Sequence, residues 1–192
     1  MKKKVQFKKG EIMNNTTVLI GVNGTIGAIN LPVYLACIKE KINCSLDVIL
    51  TENAKKFINP LSLSPYCDNV YDDLFRFQGL VAPHVSLVAN ISKFLIIPCS
   101  ANFLYKIANG VGDDLLSCCI LNYDKSIFIF PNMNDTMWNK KSVQRNVDII
   151  KKDGHVFLNV SDLALKSASG TFEKTDAALP QPDELIKRVF NS

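Results

Sequence analysis

Short apolar runs that stop at glycine or proline recur along this chain, with helix-patterned segments between them. That alternation constrains the fold more than any other feature of the sequence. Thr17-Val-Leu-Ile20 stops at Gly21, Phe94-Leu-Ile-Ile97 at Pro98, and Ile127-Phe-Ile-Phe130 at Pro131; Leu46-Asp-Val-Ile-Leu50 and His155-Val-Phe-Leu-Asn-Val160 complete the set. Runs this short read as buried strands. Residues 28 to 41 place Ile29, Val33, Ala36, Cys37 and the stem of Glu40 at helical spacing, with Pro32 in the first turn. Further helices are predicted over Asn53 to Ile58, Val85 to Ile91, Ala101 to Ala108, Asp113 to about Cys119 and Ser142 to Lys152, with a last one capped by Asp183. Residues 59 to 83, punctuated by Pro60, Pro65, Gly79 and Pro83, read as irregular, and residues 161 to 182 as a long loop. Strands alternating with helices need crossovers, and crossovers make a parallel sheet covered on both faces. The predicted fold is therefore α/β, a Rossmann- or flavodoxin-like doubly wound sheet, with a flexible lysine-rich tail over 1–16 and a single domain over 17–192.

Charge and cysteine content invite other readings, and neither survives inspection. The net charge of +4 rests on Lys2, Lys3, Lys4, Lys8 and Lys9; without them the body carries 17 basic against 18 acidic residues. A nucleic-acid surface needs basic residues gathered on a folded element, and none is gathered here. The tail reads as a solvated terminus. No apolar run is long enough to span a bilayer, and no apolar segment follows the first lysines as a secretory signal requires. Cys37, Cys44, Cys67, Cys99, Cys118 and Cys119 form no C-x-x-C pair and no regular spacing. They read as reduced, mostly buried thiols in a cytoplasmic protein, without a metal site.

In a doubly wound sheet, ligands bind beyond the carboxyl ends of the strands, and three such ends carry unusual loops. Gly21-x-x-Gly24-x-x-Gly27 follows the first strand and suits either a phosphate or a plain tight turn, since it is not the G-x-G-x-x-G fingerprint. Pro98-Cys-Ser-Ala-Asn-Phe103 offers hydroxyl and amide donors where a helix opens, for a ligand or for an N-cap at Ser100 or Asn102. Cys99 lacks a neighbouring base and reads as a packed residue rather than a nucleophile. Pro131-Asn-Met-Asn-Asp-Thr-Met-Trp138 brings two carboxamides, two thioethers and the only tryptophan to one loop. Amides can hold a carboxylate, and thioethers and indole can line a flat cofactor or a peptide, although Met and Trp also fill cores. His84 and His155 are the only histidines, and a lone histidine is most often structural.

Taken together, four pieces resemble the homo-oligomeric flavin-containing cysteine decarboxylases. They are the Gly21–Gly27 loop; Pro83-His84-Val85; Pro98-Cys-Ser-Ala-Asn102 with Lys106-Ile-Ala-Asn-Gly110; and the P-x-M-N-x-x-M-W pattern of 131–138. Asn132-Met-Asn-Asp with Met137-Trp-Asn139, and Lys152-Asp-Gly-His155, look most like the mersacidin- and epidermin-type peptidyl-cysteine decarboxylases of lantibiotic biosynthesis. Cys99 departs from the alanine usual there, and Phe103 from the common threonine.

The resemblance implies oxidative decarboxylation of the C-terminal cysteine of a ribosomally made precursor peptide, giving an aminoenethiol for aminovinyl-cysteine formation. It implies His84 as the catalytic histidine and base for the thiol proton, Asn134 on the substrate carboxylate, and Met137, Asn132, Ser169 and Gly170 at the substrate. It implies Gly24, Thr25, Ile26, Thr51, Ser100, Ala101, Asn102 and Phe103 around a flavin: FMN as in the family at large, or FAD as in the mersacidin type. A mobile substrate-clamp loop from about Asn159 to Phe172, a trimer that assembles in some members into a dodecamer, and other lantibiotic-modifying enzymes as partners are further implications. The alternatives are phosphopantothenoylcysteine decarboxylase of coenzyme A biosynthesis and a non-catalytic flavin-binding protein. The coenzyme A enzymes use a lid cysteine as proton donor, and no cysteine follows Cys119 here.

Overall fold

The computed structural model describes residues 16–73, 82–166 and 169–191. The lysine-rich tail lies outside them, except that Thr16 already belongs to the first strand. Six strands form one parallel sheet: β1 (Thr16–Val22), β2 (Cys44–Leu50), β3 (Asn69–Tyr71), β4 (Lys93–Cys99), β5 (Phe128–Pro131) and β6 (Val156–Phe157), in the order β3-β2-β1-β4-β5-β6. This is the doubly wound Rossmann order, whose direction reverses between β1 and β4.

Strand side chains alternate between the two faces, and each face has its own core. Val18, Ile20 and Val22 of β1 pack with α1 (Leu31–Lys41) and, near the C-terminus, α8 (Pro182–Phe190). Leu19 joins Phe94, Ile96 and Ile129 on the other face, under α4 (Ala101–Ala108), α5 (Leu115–Leu121) and α7 (Lys141–Lys152). Burial on both faces is why the strands read as unbroken apolar runs. Among the described residues, no helix is long and apolar enough to cross a membrane.

Several local expectations need correction. A 3₁₀ turn over Ile26–Asn30 holds Ile29 and precedes α1, which buries its more apolar stripe of Leu31, Tyr34, Leu35 and Ile38 while Ile29 and Val33 are exposed. The stretch 59–83 is not wholly irregular: Asn59 caps α2 (Pro60–Leu63) by accepting from the Leu61 N–H at 2.9 Å, and β3 follows. Both are too short to show a period; residues 74–81 lie outside the described residues. The helix expected from Val85 is α3 (Pro83–Ser86), with His84 inside it. Pro98 does not end β4, which continues to Cys99 past an irregularity in its pairing with β5. Asp114, not Asp113, caps α5, accepting from the Ser117 N–H at 2.8 Å. Asp183 does not cap α8, where Gln181 holds that position; its carboxylate meets Lys41 Nζ at 2.6 Å.

The largest correction concerns the C-terminal third. The 155–160 run splits into β6 and the start of β7 (Val160–Lys166), and β7 pairs antiparallel with β8 (Thr171–Ala178). The expected loop is therefore a hairpin. Only Thr175, Ala177 and Ala178 of β8 are buried, so its strands carry no apolar alternation.

Candidate functional site

Parallel strands bring the segments after β1, β2, β4 and β5 to one edge of the sheet, where hydrogen bonds across long sequence separations stitch them together. The Thr51 N–H donates to the Val22 carbonyl at 3.0 Å, joining the ends of β2 and β1. The Ser100 N–H donates to Asn23 Oδ1 at 2.7 Å, joining β1 to β4. The Asn132 N–H donates to the Cys99 carbonyl at 2.9 Å, joining β5 to β4. Asn132 Oδ1 then accepts from the Thr25 hydroxyl at 2.8 Å and the Gly27 N–H at 3.2 Å.

Two glycines permit this closeness. A Cβ on Gly24 would stand 2.6 Å from Asn53 Cβ, and one on Gly27 would stand 2.6 Å from Asn132 Oδ1. Gly27→Ala should displace the Asn132 amide and cost the two bonds it accepts, about 1–3 kcal/mol together. A lowered thermal midpoint with the secondary structure retained is the expected result.

Most residues expected at the site lie on this edge. Gly24, Thr25 and Ile26 form its half-buried rim and Thr51 is buried, its hydroxyl accepting from the Ala54 N–H at 3.3 Å. Ser100 caps α4, accepting from the Phe103 N–H at 3.2 Å; Ala101 is half-buried beside it and Asn102 exposed. Asn134 caps α6 (Asp135–Trp138), its Oδ1 accepting from the Met137 N–H at 2.9 Å, and both side chains are exposed.

Others are placed differently. Phe103 sits in the core, where the Lys106 ammonium lies 5.8 Å from its ring centroid. Asn132 works as the tie between loops. Ser169 and Gly170 form the exposed hairpin turn, Gly170 at φ +67°. The hairpin meets the site through its other end: Thr175 Oγ1 donates to the Met133 carbonyl at 3.2 Å. Five residues of strand, about 17 Å, separate Thr175 from Gly170, so the turn is not brought to Asn134.

His84 stands half-buried in α3, which packs against α5, and its Nδ1 is buried without a hydrogen-bond partner among the described residues. Asn23 Nδ2 shares that condition, with the residue 2% exposed. The sequence reading passed over Asn23, because asparagine after a strand is an ordinary turn residue. A buried amide donor without an acceptor costs about 1–3 kcal/mol.

Thiol chemistry has no foothold at half-buried Cys44 or at buried Cys67, Cys99 and Cys119. Burial pushes the Cys44 and Cys67 thiols up to about 11 and Cys119 up to about 12, and raises fully buried Cys99 further. All four stay protonated near neutral pH. His155 is structural: its Nδ1 accepts from the Ile127 N–H at 3.4 Å, and burial lowers its pKa below the ordinary 6.5. The unfolded chain then binds the proton more readily, so this group's stabilisation is complete above that ordinary value and falls as pH drops through it. Urea midpoints should fall between about pH 7.5 and about pH 5.5, and His155→Gln should flatten part of that fall. Lys106 is also structural, its ammonium 2.6 Å from Asp113 and 2.9 Å from Asp114, which ties α4 to the start of α5.

A flat cofactor carrying a phosphate and ring carbonyls needs a groove free of side-chain bulk and a supply of neutral donors. The edge has both: a glycine-lined rim, the N-terminus of α4, and a buried carboxamide lacking an acceptor. The residues fit a flavin. Fold and site together define a doubly wound α/β protein whose strand-end loops meet at its topological switch point. The Flavoprotein family model matches residues 7–192, and the chain belongs to that family, whose cofactor is a flavin.

Two curated relatives cover nearly all of the chain. Mersacidin decarboxylase of Bacillus sp. (strain HIL-Y85/54728) is 34% identical over 93% of this chain and 91% of its own. Epidermin decarboxylase of Staphylococcus epidermidis is 32% identical over 91% of this chain and 94% of its own. A solved histidine-to-asparagine variant of the epidermin enzyme, complexed with the substrate peptide DSYTC, superposes with a TM-score of 0.79 at 30% identity, covering 91% of this chain and 98% of that one.

Proposed function

We propose that this protein oxidatively decarboxylates the C-terminal cysteine of a ribosomally made lantibiotic precursor peptide, in the cytoplasm. The observation that carries the reading is a histidine whose buried Nδ1 lacks a partner among the described residues, in a chain that also exposes an asparagine at the head of α6. His84 takes the thiol proton, a task an imidazole suits near neutral pH. Asn134 spends its Oδ1 on the α6 cap and keeps its NH₂ for the substrate carboxylate, and Met137 lies exposed one turn on. When bound, the flavin supplies the two-electron acceptor that turns the cysteine CH₂–SH into a thioaldehyde, the sink that lets CO₂ leave as the enethiolate forms. Gly24, Thr25, Ile26, Thr51, Ser100, Ala101 and Asn102 hold that cofactor, and Ser169 and Gly170 contact the peptide only if the hairpin bends toward the site about its anchor at Thr175.

The absence of any cysteine after Cys119 favours release of the oxidised enethiol over the coenzyme A reaction, in which a lid thiol returns a proton. Phosphopantothenoylcysteine offered as substrate should therefore not lose CO₂ alone. Purified protein should be yellow, and chromatography of the heat-released flavin distinguishes FMN from FAD. Homo-oligomers are part of the same reading, since Ile29 and Val33 are 50% and 60% exposed and a second copy would cover them. Light scattering should give a mass that is a multiple of three chains.

A further inference from the structure

We infer that Asn23 is a flavin-binding residue: its carboxamide straps β1 to β4 with the oxygen and donates its NH₂ to an oxygen of the bound cofactor. This rests on the flavin reading of the site and adds a donor to it. Asn23 follows β1 directly, at the crevice between the ends of β1 and β4 where the strand order reverses. Its Oδ1 is committed, accepting from the Ser100 N–H at 2.7 Å. That bond fixes the carboxamide plane, so Nδ2 has no freedom to turn away toward water. The side chain is 2% exposed, and Nδ2 has no hydrogen-bond partner among the described residues.

The polar group it reaches is the Cys99 thiol, toward which it donates, lowering the thiol's pKa against the larger rise from burial; a thiol is a weak acceptor, and the contact falls short of hydrogen-bond geometry. Buried amide donors in folded proteins are almost always paired, and this one lies beside the glycine rim and the head of α4. A cofactor oxygen completes it. The same amide bonded to Ser100 also sets the position of the α4 N-terminus, so the strap and the donation belong to one rigid unit.

Asn23→Asp separates the two roles, because a carboxylate still accepts from Ser100 but cannot donate. Asn23→Ser, neutral and shorter, carries the test should the buried charge prevent folding. FMN and riboflavin are titrated into stripped protein, and flavin loss from holoprotein is followed on dilution. Both variants should bind FMN about tenfold or more weakly while keeping their secondary structure, and Cys99→Ala should bind it as the unchanged protein does. In Asn23→Ser, which adds no charge, a loss seen with FMN and riboflavin alike assigns the acceptor to the ring or ribityl chain, and a loss confined to FMN assigns it to the phosphate. Unchanged FMN affinity in the Asn23 variants overturns the inference and leaves a strap alone. Failure of the unsubstituted protein to bind any flavin would instead sink the reading beneath it.

Discussion

His84→Asn should abolish turnover of a cysteine-terminated peptide while flavin stays bound. Asparagine has nearly the volume of the imidazole ring and can hydrogen-bond, but it cannot accept the thiol proton. His84 sits in the first turn of α3, half-buried, with no hydrogen bond at Nδ1 to lose, so the fold should tolerate the change. General-base catalysis contributes about 10²–10⁴ in rate, and kcat should fall by that order. The check is peptide mass against time, with the flavin absorbance of the same sample. A variant that turned over normally would make the protein a flavin carrier whose histidine is structural; one that lost its flavin would move His84 into cofactor binding.

The second large effect is expected at Asn134. Aspartate caps a helix about as well as asparagine, so Asn134→Asp should preserve the bond to the Met137 N–H and the shape of the loop. It replaces a donor to the substrate carboxylate with a like charge. Losing a hydrogen bond to a charged group costs about 1.5–3 kcal/mol, and repulsion adds to it, so kcat/KM should drop by about 10²-fold or more, chiefly through KM. A C-terminally amidated peptide, tested as a competitive inhibitor, should bind both forms alike, because it brings no carboxylate to repel. Equal KM values for the acid peptide would remove Asn134 from the substrate.

The sequence exposed the sheet well, because β1, β4 and β5 are buried on both faces and show it as near-continuous apolar runs, with β2 broken at Asp47. It exposed the hairpin poorly for the opposite reason. Leu163 and Phe172 are exposed and most β8 side chains face water, so β7 and β8 lack the alternation that marks a half-buried strand. The face of α1 differs from the expected one because two stripes share the helical period, and the more apolar of them, Leu31, Tyr34, Leu35 and Ile38, is the buried one.

The site shows the same division. Loops after strands announce themselves by glycine, proline and amide content, so Gly24, Ser100, Asn132 and Asn134 stood out. What each amide does depends on partners far along the chain. Asn132 was expected at the substrate, yet its oxygen is taken by Thr25 and Gly27. Asn23 drew no notice, although it meets Ser100 across 77 positions. Composition and spacing identify which residue types can act; the register of β1 against β4 decides which of them are committed to holding the loops together.

The most direct test of the account is the mass of a peptide ending in cysteine after incubation with the purified, flavin-loaded protein in air. The account expects loss of CO₂ together with two hydrogens, and no such loss when the terminal cysteine is replaced by serine. An unchanged mass across several cysteine-terminated sequences, with flavin bound throughout, would contradict it.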